Sequence, residues 1–538
     1  MRFKNLFGVL LFAFIWLGCA QVVAPSGGPK DTKPPKALEY SPENKSIHFA
    51  SKKIIIRFNK YIQVKDLINQ LVVSPPLKYF PKVLAHGKEL EVDLKDTLLD
   101  NTTYSFNFGN SIADITESNV AANFRYVVST GSYIDSLKLF GQVKDAYTQE
   151  VQKDALVMLY INQNDSAPYK ELPSYCGRTD ANGNFLIENL KSATYKLIVL
   201  SKSQNGYLYH PGGEGIAFSS KPIVLTRNDT VNAYLFTEEE PKLHMIKARG
   251  IERGRVMMVF NKPADSLSVL PVSPPLNSKP YELIQYSATR DTAYYWINST
   301  GLDSLRFILQ RKNKNMDTAM IYSFPGKVVP KKDAKPIPLK ISSNAHDKQP
   351  DFDYHNPIVI RAEHPILKYD LSRIYLTHRK DTLKVKIDSA DLPFLLKLKC
   401  DLTSDSSYRL FVAPGTFTDV FGLKNDTLLA QFKIQEASFF GSLKINLQFA
   451  EKGTYIIQLT DAQGNTLRQD IVNKPTSVYY DALPPGTYKV RAIKDDNADG
   501  KWTPGNYIMH RQPEKVFYFP QSFVIRSSWD SNQPWLVK

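Results

Sequence analysis

Only three of the 538 residues are cysteine, so no disulfide framework holds this chain together. The longest apolar run, Leu6 to Leu17, is too short to span a bilayer comfortably, and a polytopic membrane protein is excluded. Catalytic signatures are missing too. There is no His-Glu-x-x-His, no Gly-x-Ser-x-Gly and no Gly-Lys-Ser/Thr phosphate loop. The nine histidines are dispersed, with no two within four residues of each other. Long helices are disfavoured by 34 prolines, which outnumber the 26 glycines and are spread along the chain.

What remains is ordinary folded protein, with 43% hydrophobic, 22% charged and 12% aromatic residues. Tyr and Phe, 29 of each, accompany recurrent Val and Ile runs, and these residue types suit half-buried strands. The length corresponds to about three to five domains. Loss of Arg2 and Lys4 with residues 1–18 lowers the formal charge from +15 to +13. The lysines are scattered, with local density only at Arg311–Lys314 and Lys327–Lys340, both loop-like. No recognition helix or RNP-type aromatic signature accompanies them, so nucleic acid is not an expected partner.

Arg2 and Lys4 precede the apolar run, which ends in Trp16-Leu17-Gly18-Cys19. Gly18 is small enough for a peptidase pocket, and Cys19 supplies a thiol for a diacylglyceryl thioether. The junction resembles a bacterial lipoprotein signal, with Trp16 where Leu is usual. Residues 20–35 form a Pro- and Gly-rich tether of the kind expected between an anchor and a folded body. Two or three acyl chains would make a stable anchor in the lipid membrane.

Internal similarity organises the rest. Ile54-Ile55-Ile56-Arg57-Phe58-Asn59-Lys60 returns as Val256-Met257-Met258-Val259-Phe260-Asn261-Lys262, and more loosely as Ile358-Val359-Ile360-Arg361-Ala362-Glu363-His364. Ser74-Pro75-Pro76-Leu77 returns as Ser273-Pro274-Pro275-Leu276. Asn101-Thr102-Thr103-Tyr104 with Ile112-Ala113-Asp114-Ile115 is echoed by Asp405-Ser406-Ser407-Tyr408 with Phe417-Thr418-Asp419-Val420. Short alternating strands at this spacing predict β-sandwiches. The tyrosine of each Thr-Thr-Tyr or Ser-Ser-Tyr is expected to cover the core and bond nearby backbone. The pattern resembles the bacterial Ig-like domain of S-layer proteins, as found in lipoproteins of Bacteroidota. The resemblance is good over 34–133, moderate over 344–436 and poor over 240–342.

A second module type starts at Gly141-Gln142-Val143-Lys144-Asp145 and continues through Thr179-Asp180-Ala181-Asn182-Gly183-Asn184 to Ala193-Thr194-Tyr195-Lys196-Leu197. It resembles the carboxypeptidase-regulatory, transthyretin-like β-sandwich. Thr460-Asp461-Ala462-Gln463-Gly464-Asn465 and Pro485-Gly486-Thr487-Tyr488-Lys489-Val490 repeat it. Gly183 and Tyr195 are 12 positions apart, Gly464 and Tyr488 24, which implies an insertion or a different hairpin in the second copy. The expected all-β rod of tandem sandwiches has a signal peptide at 1–18, lipidated Cys19 and a tether to 33, and an Ig-like domain at 34–133. A transthyretin-like domain at 134–238, a degenerate Ig-like domain at 239–343, an Ig-like domain at 344–436 and a C-terminal transthyretin-like domain at 437–538 follow.

Asp495, Asn497 and Asp499, with Gly500 sixth, match the start of a calcium loop. The twelfth position is Asn506 in place of a bidentate Glu, and the same string suits an Asx-bonded turn. Adjacent aromatics at Tyr294-Tyr295-Trp296, Tyr479-Tyr480 and Trp529/Trp535 must put one ring of each neighbouring pair outward unless a partner covers it. Packing against a module or another protein is the expected use, with sugar stacking the alternative. Cys176 and Cys400 have no histidine neighbour to suggest a nucleophile. The resulting expectation is a non-enzymatic, outer-membrane-anchored structural or protein-interaction module of an envelope complex. A glycan-binding surface lipoprotein is the alternative, and an uncharacterised hydrolase a third reading. Ala20-Gln21-Val22-Val23 carries no charge and the first acid is Asp31, which favours the periplasmic face over the cell surface. Replacement Cys19→Ala is expected to abolish alkyne-fatty-acid labelling and release the chain from membranes, as read by in-gel fluorescence and fractionation.

Overall fold

The computed structural model describes residues 30–538 except 202–205, 241, 253, 275–280, 299–301, 326–337, 347–350 and 389–392. Gly18 and Cys19 lie outside the described residues. Strands make up 51% of the described residues and helices 3%. The all-β class follows, with tandem Ig-like sandwiches. Among the described residues no helix is long and apolar enough to cross a membrane. Two compact units form: Met1–Val143 with Val151–Tyr209 and Ala217–Ala233, and Lys144–Glu150 with His210–Ile216 and Tyr234–Lys538.

The first module shows why the first repeat is a strand. In Lys53–Phe58, Ile54, Ile56 and Phe58 are buried while Lys53 and Arg57 face out, the period-two alternation of a half-buried sheet. This strand pairs with Ala37–Ser41 on one side and Glu89–Asp93 on the other, and Lys82–His86 completes the sheet. The facing sheet is Val72–Ser74, Thr103–Asn107 and Arg125–Ser129. Ile54, Ile56, Phe58, Leu90, Tyr104, Phe106 and Tyr126 meet between them. In the second unit Ile358–Ala362 and Leu395–Lys399 pair in the same way opposite Ser407–Val412 and Leu428–Lys433, around Ile358, Ile360, Leu396, Tyr408 and Leu410.

Both repeat tyrosines do what their position implies. Tyr104 is buried, and its hydroxyl accepts from the Leu99 amide at 2.9 Å. Tyr408 accepts from the Thr403 amide at 2.9 Å, also five residues upstream. Each hydroxyl satisfies a backbone donor at a strand corner, the geometry of a tyrosine corner. The region that lacks the Thr-Thr-Tyr element nevertheless keeps the pairing. Met245–Glu252, Arg255–Phe260, Thr292–Ile297 and Glu282–Tyr286 form one sheet, and Leu267–Ser273, Leu305–Arg311 and Lys314–Ile321 the other. Here Tyr286, on a different strand, accepts from the Leu267 amide at 3.0 Å. The basic stretch Arg311–Lys314, read as a loop, is the tight turn between two of these strands.

The other module type uses one pairing scheme twice. In the first unit Leu156–Tyr160 pairs with Tyr175–Arg178 and Ala193–Leu200, and Asn184–Leu190 pairs with the segment 137–142. In the second, Thr454–Thr460 pairs with Thr466–Val472 and Gly486–Asp495, and Thr476–Leu483 pairs with Gly441–Phe449. The turns are alike as well. Asp180 accepts the Gly183 amide at 3.0 Å, and Asp461 the Gly464 amide at 3.1 Å, each with the glycine at positive φ. They occupy different connections, however. Asp180–Asn184 leads into the strand that pairs with 137–142, whereas Asp461–Asn465 joins Thr454–Thr460 to its neighbour one strand earlier. That different hairpin accounts for the 12- and 24-residue spacings.

Removing a corner hydroxyl leaves a backbone donor without its acceptor. Tyr104→Phe and Tyr408→Phe are each expected to destabilise by about 1–2 kcal/mol in urea titrations, whereas Tyr375→Phe, at a half-exposed ring, should change little.

Candidate interaction surfaces

The repeats acquire a chemical meaning at two buried carboxylates. Asp114 is 2% exposed. Its Oδ1 accepts the Glu117 amide at 2.7 Å, while Oδ2 takes Asn119 Nδ2 at 2.9 Å and Lys60 Nζ at 3.3 Å. Burial alone would raise its pKa, but these donors and the Lys60 charge hold it at about 2. Lys60 closes the first repeat, and Asp114 lies in the Ile-Ala-Asp-Ile element. Asn59, just before, accepts the Lys36 amide at 2.8 Å, and Asn261 takes the His244 amide in the same way at 3.0 Å. The repeated Phe-Asn-Lys therefore ties down the strand before it.

In the third copy of the repeat His364 replaces the lysine. The equivalent acid, Asp419, is fully buried; its Oδ1 accepts the Phe421 and Leu423 amides at 2.9 and 2.7 Å, and Oδ2 lies 2.6 Å from His364 Nδ1. The second ring nitrogen, Nε2, is 3.6 Å from Glu252 Oε2, on the preceding sandwich. Glu252 also pairs with Arg255 at 3.2 Å. Burial opposes the imidazolium, yet the bonds to Asp419 and Glu252 outweigh it and raise the pKa to about 9. Aromatic rings seal the junction: Trp296 is fully buried, with centroids 5.8, 5.5 and 6.4 Å from His364, Phe394 and Phe421. Gly254, at φ 79°, lets the chain pass; a Cβ there would lie 2.7 Å from the Phe421 ring.

The first unit has a comparable junction. The Cys176 amide donates to Ser74 Oγ at 3.0 Å and its thiol to the Val73 carbonyl at 3.3 Å. Burial pushes that thiol up to about 12. Asp135 accepts the Thr103 hydroxyl at 2.8 Å, and its carbonyl takes Asn189 Nδ2 at 2.9 Å. Cys400 is half-buried with its pKa raised to about 11 by burial. Both thiols are free.

The acidic loop is braced from within. Asp495 Oδ1 and Oδ2 accept the Asp499 and Gly500 amides at 3.1 and 2.9 Å. Asn497 Oδ1 also accepts from Asp499 N at 3.0 Å, while its Nδ2 reaches Thr503 at 2.8 Å. Glu514, distant in sequence, receives the Asp496 and Thr503 amides at 2.9 and 2.8 Å. The Asp495 and Asn497 bonds are Asx-type turn bonds, and Glu514 braces the loop from outside. Among the described residues no group of three or more His, Cys, Asp or Glu is placed to hold a metal ion. What the loop positions is Trp502, whose Nε1 donates to the Glu514 carbonyl at 3.0 Å and whose ring lies 4.9 Å from Tyr147.

Of the aromatic clusters, Tyr295, Trp296 and Tyr480 are core residues, and Trp535 is 7% exposed. Tyr479 and Trp529 face outward at 60% and 47%. Sequence reasoning missed His364, because the third repeat is the loosest. Its signal was the Lys-to-His exchange opposite an acid retained in the later element.

A histidine raised from about 6.5 to about 9 adds stability that is complete below its unfolded pKa and lost as pH climbs through the folded one. The stability of the intact chain against unfolding should therefore fall between pH 6.5 and 9 by on the order of 3 kcal/mol. His364→Gln should flatten that slope in denaturant titrations across the range. Glu252, held below the usual carboxylate range chiefly by its bond to His364, keeps its charge throughout it.

Comparison with curated proteins returns no match. Among solved structures, the Bacillus anthracis TIE protein is similar at 11% identity over 99% of this chain and 78% of that one, with a TM-score of 0.16. S-layer protein rSbsC(31–844) is similar at 13% identity over 91% and 67%, with a TM-score of 0.16. Titin domains A168–A170 are similar at 8% identity over 52% and 98%, with a TM-score of 0.15. Residues 31–130 match the family model of the bacterial Ig-like domain, in agreement with the sandwich and tyrosine corner found there.

Proposed function

We propose that this chain is a lipoprotein of the outer membrane, of the kind found in Bacteroidota, held by acyl groups on Cys19 and facing the periplasm. Its modules serve as a non-catalytic scaffold for protein contacts in an envelope complex concerned with assembly, secretion or outer-membrane proteins. The second and fifth sandwiches are read as transthyretin-like, supported by the strand-pairing scheme they share.

The observation that carries this reading is the way the sandwiches are joined. Successive modules within a unit meet through buried side chains, Cys176 on Ser74 in one case and His364 between Asp419 and Glu252 in the other. Such joints fix the presentation of many loops and edge strands at once, which suits a scaffold. The Gly18-Cys19 junction and the tether support the anchor, and the uncharged stretch after Cys19 supports the periplasmic side.

Affinity purification from detergent-solubilised envelopes is the test. The expected result is co-elution of one or more outer-membrane proteins in fixed stoichiometry with the tagged chain. Elution of the chain alone, across several mild detergents, would contradict the reading.

A further inference from the structure

Inside the first unit the Ig-like sandwich and its neighbour enclose an open groove of about 1010 Å³, at the upper end of the range for small-ligand sites. Primary amides make up a quarter of its lining, among them Gln70, Asn107, Asn110 and Asn123. Gln70 Oε1 accepts the Asn110 amide at 3.1 Å and Asn107 Oδ1 the Gly109 amide at 3.0 Å. Each spends its carbonyl on the loop and leaves its NH2 without a partner among the described residues. The side chains of Asn110 and Asn123 are exposed. An amide offers two donors and an acceptor in one plane, which matches adjacent hydroxyls that both donate and accept.

Two further features narrow the ligand. Phe140 lines the same groove and is 38% exposed, so an aromatic face sits among the amides. Charge is balanced, because Arg125, Lys153 and Arg178 face the carboxylates Asp154, Asp180 and Glu188; Arg125 pairs with Glu188, which also takes Lys138 at 2.7 Å. Arg178 adds donors: one nitrogen reaches the Asp154 carbonyl at 3.4 Å, while its buried Nε has no acceptor. A strand-like peptide is less suited, since the bordering strand Tyr175–Arg178 already spends its Cys176 amide on Ser74. We infer that this groove binds a neutral oligosaccharide, with Phe140 stacking on a pyranose ring and the Gln70, Asn107, Asn110 and Asn123 amides bonding its hydroxyls. This inference does not rest on the proposed scaffold role, and either can fail without the other.

Affinity electrophoresis of the intact chain in gels containing soluble starch, xylan, mannan, dextran or mixed-linkage β-glucan tests it. At least one polymer should retard the native protein. Phe140→Ala should relieve that retardation at least fivefold, and so should Asn110→Ala combined with Asn123→Gly, a residue suited to the positive φ of 52° there, with unchanged thermal melts. The second variant alters only exposed side chains, so it stays informative if loss of Phe140 disturbs the fold. No retardation by any polymer would overturn the proposal, as would retardation that survives both variants. Capture of extended heptapeptides in place of sugars, lost on Phe140→Ala, would assign the groove to peptides and overturn it as well.

Discussion

A carboxylate with almost no exposed surface must draw its charge and its hydrogen bonds from the protein. Asp114 and Asp419 impose that demand at equivalent places in two Ig-like sandwiches. At Asp114 the answer lies within the same sandwich, with Lys60 bonding back from the end of the first repeat. At Asp419 the lysine has become His364, whose flat ring bonds the acid through one nitrogen and reaches Glu252 of the preceding sandwich through the other. One constraint thus closes a module in the first case and joins two modules in the second. Trp296, Phe394 and Phe421 follow from it, because a buried ion pair is stable only where water is kept out and geometry is held.

The joint also explains local oddities. Gly254 has no room for a side chain, because a Cβ there would lie 2.4 Å from the Ile297 carbonyl oxygen and 2.7 Å from the Phe421 ring. Arg255 lies 4.5 Å from the centroids of both Tyr294 and Trp296, so its charge is shared between aromatic faces and Glu252. The first unit reaches a similar end by neutral means, with a buried thiol and a serine hydroxyl where the second uses charge.

Much of the fold was legible in the sequence. Alternation in Ile54-Ile55-Ile56-Arg57-Phe58 gives a strand with one buried face, and the Ig-like resemblance at 34–133 rests on residues that do build that sandwich. The tyrosines of the Thr-Thr-Tyr element bond backbone as their placement suggested. Less legible was anything that depends on pairing across many residues. Lys60 and Asp114 were both singled out as repeat members, but 54 positions separate them and nothing local joins them. Trp296 belongs to an aromatic cluster in which alternation turns one ring of each pair outward unless a partner covers it; it is buried because the next module covers it. The groove left no trace, since Gln70 comes from a helical turn, Asn107 and Phe140 from strands and Asn110 and Asn123 from turns, and together they carry no motif.

If the sandwiches within a unit are fixed to one another by these joints, backbone amides at the joints must be as hard to open as those in the cores. Hydrogen exchange with fragment-resolved mass spectrometry measures this directly. The amides of Cys176, Phe421 and Leu423, which donate to Ser74 and Asp419, should exchange within about tenfold of those in the strands Leu156–Tyr160 and Ser407–Val412. Exchange at these three amides as fast as in exposed loops, with the strands still protected, would show that the sandwiches move independently and contradict the account.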